Sequence, residues 1–168
     1  YSYIAYQTAF LKYYYPLEFM CNLLTSEIDN NDKNKKLNEY MNAAKKMNIY
    51  ISVPNINKSK NIFVIDKEGN KEVLRIPLTI IKGVGNKAVE NIISLQPFQN
   101  FEDFVKRINH RIVNSKVIEN LTKSGVFYNT WKISSAEVAK KYINIKNQIL
   151  NEKKAQMKKN KQNSETGS

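Results

Sequence analysis

The sequence predicts a mainly α-helical protein with a small β element of two or three strands before its midpoint. Apolar residues recur at helical spacing over most of the 168 residues. Strand-like alternation is confined to residues 49–54 and 61–76. With 42% hydrophobic residues, the chain can bury one ordinary core or two small ones. The last predicted helix is long and basic.

The first part of the chain predicts three helices. Residues 2–14 combine aromatic and aliphatic side chains at helical spacing, and Pro16 suits the first turn of a second helix, PLEFMCNLLTSE. A third helix, roughly 33–47, follows an Asn/Asp/Lys-rich loop. The chain begins on a tyrosine within a helical pattern, which we interpret as a cut from something larger.

The aromatic residues of the first helix allow two interpretations. Aromatic side chains beside basic residues can stack on nucleic-acid bases. They also fit a buried helix face, with the run Tyr13–Tyr15 packing on Phe19 as the end of the helix. We favour the buried face, whose members are Tyr3, Tyr6, Phe10 and Tyr14.

The middle of the chain predicts the β element. IYISVP (49–54) alternates and stops at a proline, as an edge strand does. NIFVIDKEGNKEVLRI (61–76) predicts two short strands around a Glu-Gly-Asn turn at 68–70.

Everything after residue 77 is predicted to be helical. The last helix loses its apolar residues in QILNEKKAQMKKNKQN, and we expect it to fray into a basic tail. The predicted helices are 78–82, 86–95, 101–108, 114–123 and about 134–158.

The charge balance suggests a polyanionic partner. Lysine and arginine exceed aspartate and glutamate by 27 − 15 = 12, and lysine supplies 24 of these 27 cations. Net charge favours non-specific association with nucleic acid but does not indicate a fold.

One cysteine and one histidine limit the chemistry of the chain. A disulfide within the chain needs two cysteines, and Cys21 with His110 makes a zinc site implausible. We interpret Cys21 as a small buried hydrophobe and His110 as an ordinary loop residue. No apolar run approaches the ~20 residues that span a bilayer, so we expect no membrane partner.

The segment IIKGVGNKAVENII (80–93) holds two of the five glycines, Gly83 and Gly85. The apolar spacing around them fits a short helix, a tight turn and a second helix. Gly83 and Gly85 permit positive φ and keep Cβ atoms out of the way, and Asn86 can cap the second helix. A helix N-terminus beside a bare loop is an anion site. A plain helix–helix turn with a glycine cap is the alternative.

This segment resembles the DNA-binding helix-hairpin-helix motif, whose hairpin amides bind a backbone phosphate without reading sequence. The resemblance implies one set of phosphate-binding residues here: Lys82, Gly83, Val84, Gly85, Asn86 and Lys87. Some relatives are glycosylases with a nucleophilic lysine after the hairpin, where Lys87 lies, and Asp103 follows. The absence of cluster cysteines and of a base-flipping pocket sequence argues against that chemistry.

A wider resemblance runs in order along residues 1–130. Residues 5–27 (AYQTAFLKYYYPLEFMCNLLTSE) resemble part of the fingers region of the C-family replicative polymerases, the bacterial DNA polymerase III alpha subunits. Matching blocks follow at 36–59, 75–93, 97–108 and 114–127. Pro77 departs from the family, which usually has glycine there, so the approach to the hairpin is expected to differ.

The resemblance implies fingers-type helices with the β element over 1–76, a tandem helix-hairpin-helix module over 77–150, and a basic polar linker or tail over 151–168. The second, degenerate hairpin would lie at 123–127, and we expect it to bind phosphate more weakly through Lys123, Ser124 and Gly125. Further DNA contacts are expected from Arg107, Arg111, Lys116 and Lys132.

For function, the resemblance implies a segment of a DNA-directed DNA polymerase, a nucleotidyltransferase of the bacterial or phage-infected cytoplasm. The segment itself would bind product duplex without sequence preference. The matching blocks lack the palm aspartates that hold catalytic Mg²⁺, so we expect no catalytic residue and no cofactor in this segment. We expect the parent polymerase, of which this would be a segment, to use Mg²⁺. The sliding clamp and other replisome subunits would bind parts outside this sequence.

Two other functions remain open at this point. An independent helix-hairpin-helix module from a repair or recombination protein would bind DNA in the same way, but it leaves the fingers-like residues 1–60 unexplained. A structural scaffold, in which the hairpin is only a turn, would not bind DNA at physiological salt.

Overall fold

The computed structural model describes residues 9–28 and 33–167. The predicted helix over residues 2–14 therefore falls partly outside the described residues, as do Tyr3 and Tyr6. Residues 9–14 are helical.

The predicted element order is confirmed. The first half holds α1 (Pro16–Ser26), α2 (Lys33–Lys46), β1 (Ile51–Ser52), β2 (Val64–Glu68) and β3 (Lys71–Arg75). The second half begins with a 3₁₀ turn (Leu78–Ile80) and continues with α3 (Asn86–Leu95), α4 (Phe101–Arg107), α5 (Ser115–Ser124), α6 (Val126–Trp131) and α7 (Ser135–Glu165).

The three strands form one small sheet in the order β1-β3-β2. β2 and β3 are antiparallel and joined by the predicted turn, in which Gly69 takes a φ of +64°. β1 pairs with β3 in parallel at the edge and stops before Pro54, as the alternation predicts.

A first core packs α1 and α2 against this sheet. The half-buried Cys21 donates a hydrogen bond from its Sγ to the carbonyl of Phe63 at 3.2 Å, and burial raises the pKa of this thiol. Cys21 thus packs against the core without being fully enclosed by it. The fully or nearly buried members of this core are Met20, Leu24, Ile28, Leu37, Ala44, Ile49, Phe63 and Leu74.

A buried arginine lies in the sheet, which the sequence pattern did not indicate. Arg75 is 2% exposed, and its guanidinium donates to Ser52 Oγ at 2.7 Å and to the carbonyl of Val53 at 3.1 Å. Its other nitrogens pair with Asp66 at 3.2 Å and Glu68 at 3.1 Å. These contacts satisfy a charge that would be costly to bury alone.

A second core lies among the helices that follow residue 77. Its centre is a group of aromatic rings from α4, α6 and the turn before α4. Phe101 and Phe127 meet edge to face with ring centroids 5.1 Å apart, and Trp131 stacks on Phe127 at 6.1 Å. This core supports α3 and α5, which carry the two predicted hairpins.

The loop at residues 54–60 joins the two halves. Ile56 is fully buried in the second core, and its amide donates to Thr130 Oγ1 at 2.9 Å. The Gln96 side chain donates to the carbonyls of Ile56 at 2.7 Å and Ser59 at 2.9 Å. The predicted domain boundary at residues 76 and 77 stays a prediction, because this loop precedes the boundary in sequence but contacts residues on both sides of it.

The structure corrects the buried assignment of the first-helix aromatics. Phe10 and Tyr14 are exposed, Tyr14 by 62%, and so are Tyr13 and Tyr15. Helical spacing identified residues on one face correctly, since Phe10 and Tyr14 pack against each other at 4.6 Å. Within residues 9–28 and 33–167, however, nothing encloses these rings.

Helix α7 also differs from its prediction. It continues to Glu165, past the predicted end near residue 158 and through most of the predicted tail at 151–168. Loss of apolar residues does not end a helix when lysine, glutamine and alanine, which favour the helix, replace them. A further short helix, α6, occupies the residues after the second hairpin, where no separate helix was predicted.

Candidate nucleic-acid interface

The first hairpin is anchored by its apolar side chains. Ile81, Val84 and Ala88 are buried in the second core. The chain turns after the 3₁₀ segment, where the Ile81 amide bonds to the Leu78 carbonyl at 3.1 Å and the Val84 amide bonds to the Ile81 carbonyl at 3.2 Å. The anchored residues force those between them outward.

The start of α3 is exposed and uncapped. Gly85 is its N-cap and has no side chain to accept from the helix amides, and the first turn contains no acidic residue. Gly85, Asn86 and Lys87 are all exposed. Asn86 lies inside the helix, not at the predicted cap position. In the described part of the chain, no acceptor meets the amides of these three residues, so they remain available to an anion.

The two glycines of this hairpin have different surroundings. Gly83 has a φ of +83°, and an added Cβ would lie 2.1 Å from Asn120 Nδ2. Gly85 has an ordinary φ of −77°, and an added Cβ would meet nothing within 4 Å. The local fold therefore requires glycine at 83 but not at 85.

Lysines border the exposed amides. Lys82 and Lys87 are both exposed on either side of the glycine pair. Their flexible ammonium groups would add positive charge to the partial positive charge of the helix N-terminus. The six residues predicted for the first phosphate site therefore lie together, with Val84 serving as the buried anchor.

The second hairpin is a single-residue turn between α5 and α6. Gly125 takes a φ of +81° and donates its amide to the Thr122 carbonyl at 3.1 Å. The Val126 amide meets Ser124 Oγ at 3.4 Å, and Lys123 pairs with Glu119 at 3.0 Å. The predicted residues Lys123, Ser124 and Gly125 are thus close together, but their polar groups already have partners within the chain.

Arg107 makes structural contacts. Its guanidinium donates to the Leu95 carbonyl at 2.7 Å and the Pro97 carbonyl at 2.9 Å, so it supports the end of α3. It also pairs with Asp103 at 3.2 Å. These contacts leave less of the guanidinium for DNA than the sequence pattern suggested.

The other predicted contact residues are exposed and separate. Arg111 and Lys116 lie on the surface before and within the first turn of α5. Lys132 has a φ of +57° and holds its ammonium 5.3 Å from the ring centre of Tyr128. No geometric feature of these three residues points to a phosphate site, so their contact with DNA stays a prediction.

Asp103, the carboxylate considered for glycosylase chemistry, belongs to the start of α4. It accepts from the Gln99 amide at 3.1 Å, and this hydrogen bond, reinforced by Arg107, lowers the pKa of the Asp103 carboxyl.

Among residues 9–28 and 33–167, no three His, Cys, Asp or Glu side chains form a group that could hold a metal ion. No helix in that part of the chain is long and apolar enough to cross a membrane.

Asn120 is the residue of this site that sequence reasoning missed. Its Nδ2 donates to the Gly83 carbonyl at 3.4 Å across a separation of 37 residues. Its place in the helical sequence KVIENLT is unremarkable, because a half-buried asparagine on a helix carries no local signal of a distant partner.

Comparison with known proteins agrees with this geometry. A family model described as "Helix-hairpin-helix motif" matches residues 48–136. DNA polymerase III subunit alpha of Campylobacter jejuni is 40% identical over 130 residues, which are 76% of this chain and 11% of that protein. The subunits of Borreliella burgdorferi and Bacillus subtilis are 39% and 41% identical, covering 76% and 74% of this chain. The chain spans about a tenth of the length of these relatives, 11% in each case. The predicted resemblance to alpha subunits is confirmed.

Proposed function

The chain belongs to the helix-hairpin-helix motif family, and from this membership we propose that its first hairpin binds the phosphate backbone of duplex DNA. The observation that carries the proposal is the exposed, uncapped start of α3, with Gly85, Asn86 and Lys87 on the surface. Unpaired amides and the helix dipole favour an anion there.

The binding would be independent of base sequence. Backbone amides would donate to phosphate oxygens, which are the same at every nucleotide and carry no base information. Lys82 and Lys87 would release counterions from the duplex, so the affinity would fall steeply as the salt concentration rises. The absence of a side chain at Gly85 would let a phosphate oxygen approach the amides closely.

We place this binding activity within a replicative DNA polymerase. The relatives named as DNA polymerase III subunit alpha match 130 and 131 residues of this chain, which is more than the helix-hairpin-helix segment at 48–136 contains. This extended match favours a polymerase segment over an independent repair or recombination module.

The parent protein would carry out DNA-directed DNA synthesis in the cytoplasm. Its palm carboxylates would hold Mg²⁺ elsewhere in the chain, and its clamp and replisome contacts would also lie elsewhere. The segment described here would hold the product duplex and supply no catalytic group.

The decisive variant is Gly85→Val. The backbone at Gly85 accepts any L-residue, and a Cβ there meets no atom within 4 Å, so the fold should be retained. A phosphate approaching the α3 amides would instead meet the new side chain. We expect an affinity loss of about tenfold or more, equivalent to about 1.4 kcal/mol, measured by fluorescence anisotropy of a labelled duplex across a salt series.

Lysine variants provide a matched control. Lys87→Gln and Lys106→Gln remove the same charge from two exposed positions, one at the hairpin and one in the last turn of α4. We expect only Lys87→Gln to lower the log–log salt slope, by about 0.9 for one phosphate contact. Thermal unfolding of each variant verifies that it is folded.

Two results would contradict the proposal. One is an unchanged affinity in Gly85→Val. The other is equal loss in Lys87→Gln and Lys106→Gln, which would mean that general positive charge, including the exposed lysines of α7, accounts for binding. A scaffold without DNA affinity would bind no duplex at physiological salt in any form.

A further inference from the structure

We propose that the second hairpin is not a second phosphate site and that it supports the first hairpin, with Asn120 as the positioning residue. This inference rests on the proposed function of the first hairpin. It changes the expectation, drawn from sequence, that Lys123, Ser124 and Gly125 form a weaker copy of that site.

The amides after the second turn are inaccessible. Val126 and Phe127, the first residues of α6, are 0% and 1% exposed. The Gly125 amide is already bonded to the Thr122 carbonyl at 3.1 Å. At the first hairpin, the corresponding residues Asn86 and Lys87 are exposed. A phosphate can reach the amides of the first hairpin but not those of the second.

The charge beside the second turn is also less favourable. Lys123 lies 3.0 Å from Glu119, one helical turn earlier on α5. Both side chains are well exposed, so the pair contributes little to stability. The carboxylate nevertheless offsets the lysine charge and would repel an approaching phosphate. Among the described residues, no such carboxylate pairs with Lys82 or Lys87.

Asn120 connects the two hairpins. It lies on α5, and its side chain fills the space that a Cβ at Gly83 would occupy, with Nδ2 only 2.1 Å from that Cβ position. The same Nδ2 donates to the Gly83 carbonyl at 3.4 Å. The first hairpin therefore rests on the first helix of the second hairpin.

This contact helps to fix the direction of the phosphate-binding amides. The peptide group between Gly83 and Val84 is held at both ends: its carbonyl by Asn120, and its N–H by the Ile81 carbonyl at 3.2 Å. The orientation of this peptide sets the path of the chain into Gly85 and α3. It also keeps the Gly83 carbonyl, whose oxygen would repel a phosphate, directed toward Asn120.

The test compares Asn120→Leu, Lys123→Gln and Gly85→Val in the same duplex titration. Leucine has the same number and branching of side-chain heavy atoms as asparagine but cannot donate to the Gly83 carbonyl. We expect Asn120→Leu to weaken binding about three- to tenfold and to reduce the salt slope, whereas Lys123→Gln changes the affinity by less than about twofold and leaves the slope unchanged.

A double variant separates positioning from a general loss of structure. If Asn120 acts through the first hairpin, Asn120→Leu should cause no further loss of affinity in a Gly85→Val background, since the effects of coupled residues do not add. Asn120→Ala serves as a second variant at the same position. Thermal unfolding of every variant verifies that the sample is folded.

The outcomes distinguish this inference from the proposed function. If Gly85→Val has no effect, the first hairpin does not bind phosphate and both proposals fail. If Gly85→Val weakens binding but Asn120→Leu does not, or if the two losses add fully, Asn120 is not a positioning residue. If Lys123→Gln weakens binding as much as Lys87→Gln, the second hairpin is itself a phosphate site.

Discussion

Gly83 and Gly85 lie two positions apart in one turn but differ in what requires them. Gly83 combines a left-handed backbone with a neighbouring side chain in the Cβ position, so any other residue would disturb the turn itself. Gly85 has an ordinary backbone and open space around it. The fold does not require glycine at 85, and the proposed approach of a phosphate to the backbone would account for the missing side chain.

His110 gives the fold a pH dependence. Burial lowers the pKa of His110, and the positive charges of Lys146 and Lys153 act in the same direction, against the opposing effect of the Val105 backbone. As the pH falls below 6.5, the ordinary pKa of histidine, His110 therefore binds a proton more readily in the unfolded chain than in the folded one. The free energy of unfolding keeps its full value above that pH and falls as the pH decreases toward the lowered pKa.

We expect a lower melting temperature at about pH 5.5 than at about pH 7.5, because histidine is the side chain that ordinarily titrates in this window. The chain contains one histidine, so His110→Gln should remove most of the difference. Calorimetry of both forms at the two pH values makes the measurement. An equal pH dependence in His110→Gln would show that His110 is not its source.

At the scale of elements, α7 has two halves with different roles. Val138 and Ile145 are buried against the second core, whereas every described residue from Leu150 onward is exposed. The exposed half has no packing to stabilise it, and helices of this length are marginal when isolated in water. The first half belongs to the folded core, and the second is a basic helix on its surface.

Two alanine substitutions in this one helix should have opposite outcomes. Ile145→Ala removes a buried side chain and should lower the free energy of unfolding by about 2–5 kcal/mol. Met157→Ala removes an exposed one, 69% accessible, and should change it by less than about 0.5 kcal/mol. Denaturant titration measures both. Equal losses would mean that the far half of α7 is packed in solution.

At the scale of the whole molecule, the loop at residues 54–60 couples the two cores. Asn57 forms a reciprocal pair with Phe98: its Nδ2 donates to the Phe98 carbonyl at 2.9 Å, and the Phe98 amide donates to its Oδ1 at 2.8 Å. Asn129 reaches back from α6 to the Pro54 carbonyl at 3.1 Å. With Ile56 buried beyond them, these contacts tie the sheet to the hairpin helices.

Ile56→Ala tests how far this loop stabilises the second core. Ile56 lies before the sheet hairpin in sequence but is fully buried in the second core, so we expect a loss of about 2–5 kcal/mol. The fluorescence of Trp131, the only tryptophan, should report the destabilisation, because Trp131 packs against the same core as Ile56. Ile62→Ala, at an exposed position in the same part of the chain, is the control. If Trp131 unfolds at the same denaturant concentration in Ile56→Ala as in the unchanged chain, the loop does not stabilise the second core.

Much of the fold follows from signals that act over a few residues. Pro16 begins α1, the caps Asn100, Asn114 and Ser134 begin α4, α5 and α7, and the turn at 68–70 joins two alternating strands. The glycine pair and its flanking lysines likewise indicate the first hairpin. These features depend on backbone geometry and neighbouring side chains, and the sequence displays both directly.

The sequence by itself determined the order of the elements, the place of the first hairpin and the polymerase resemblance. Tertiary structure alone decided that Asn120 meets Gly83, that Arg75 is buried with two carboxylates, that Phe10 and Tyr14 are exposed, and that the second hairpin hides its amides. Helical and strand periodicity identify which residues share a face. What covers that face depends on where distant segments pack, and that is set by the free energy of the whole fold.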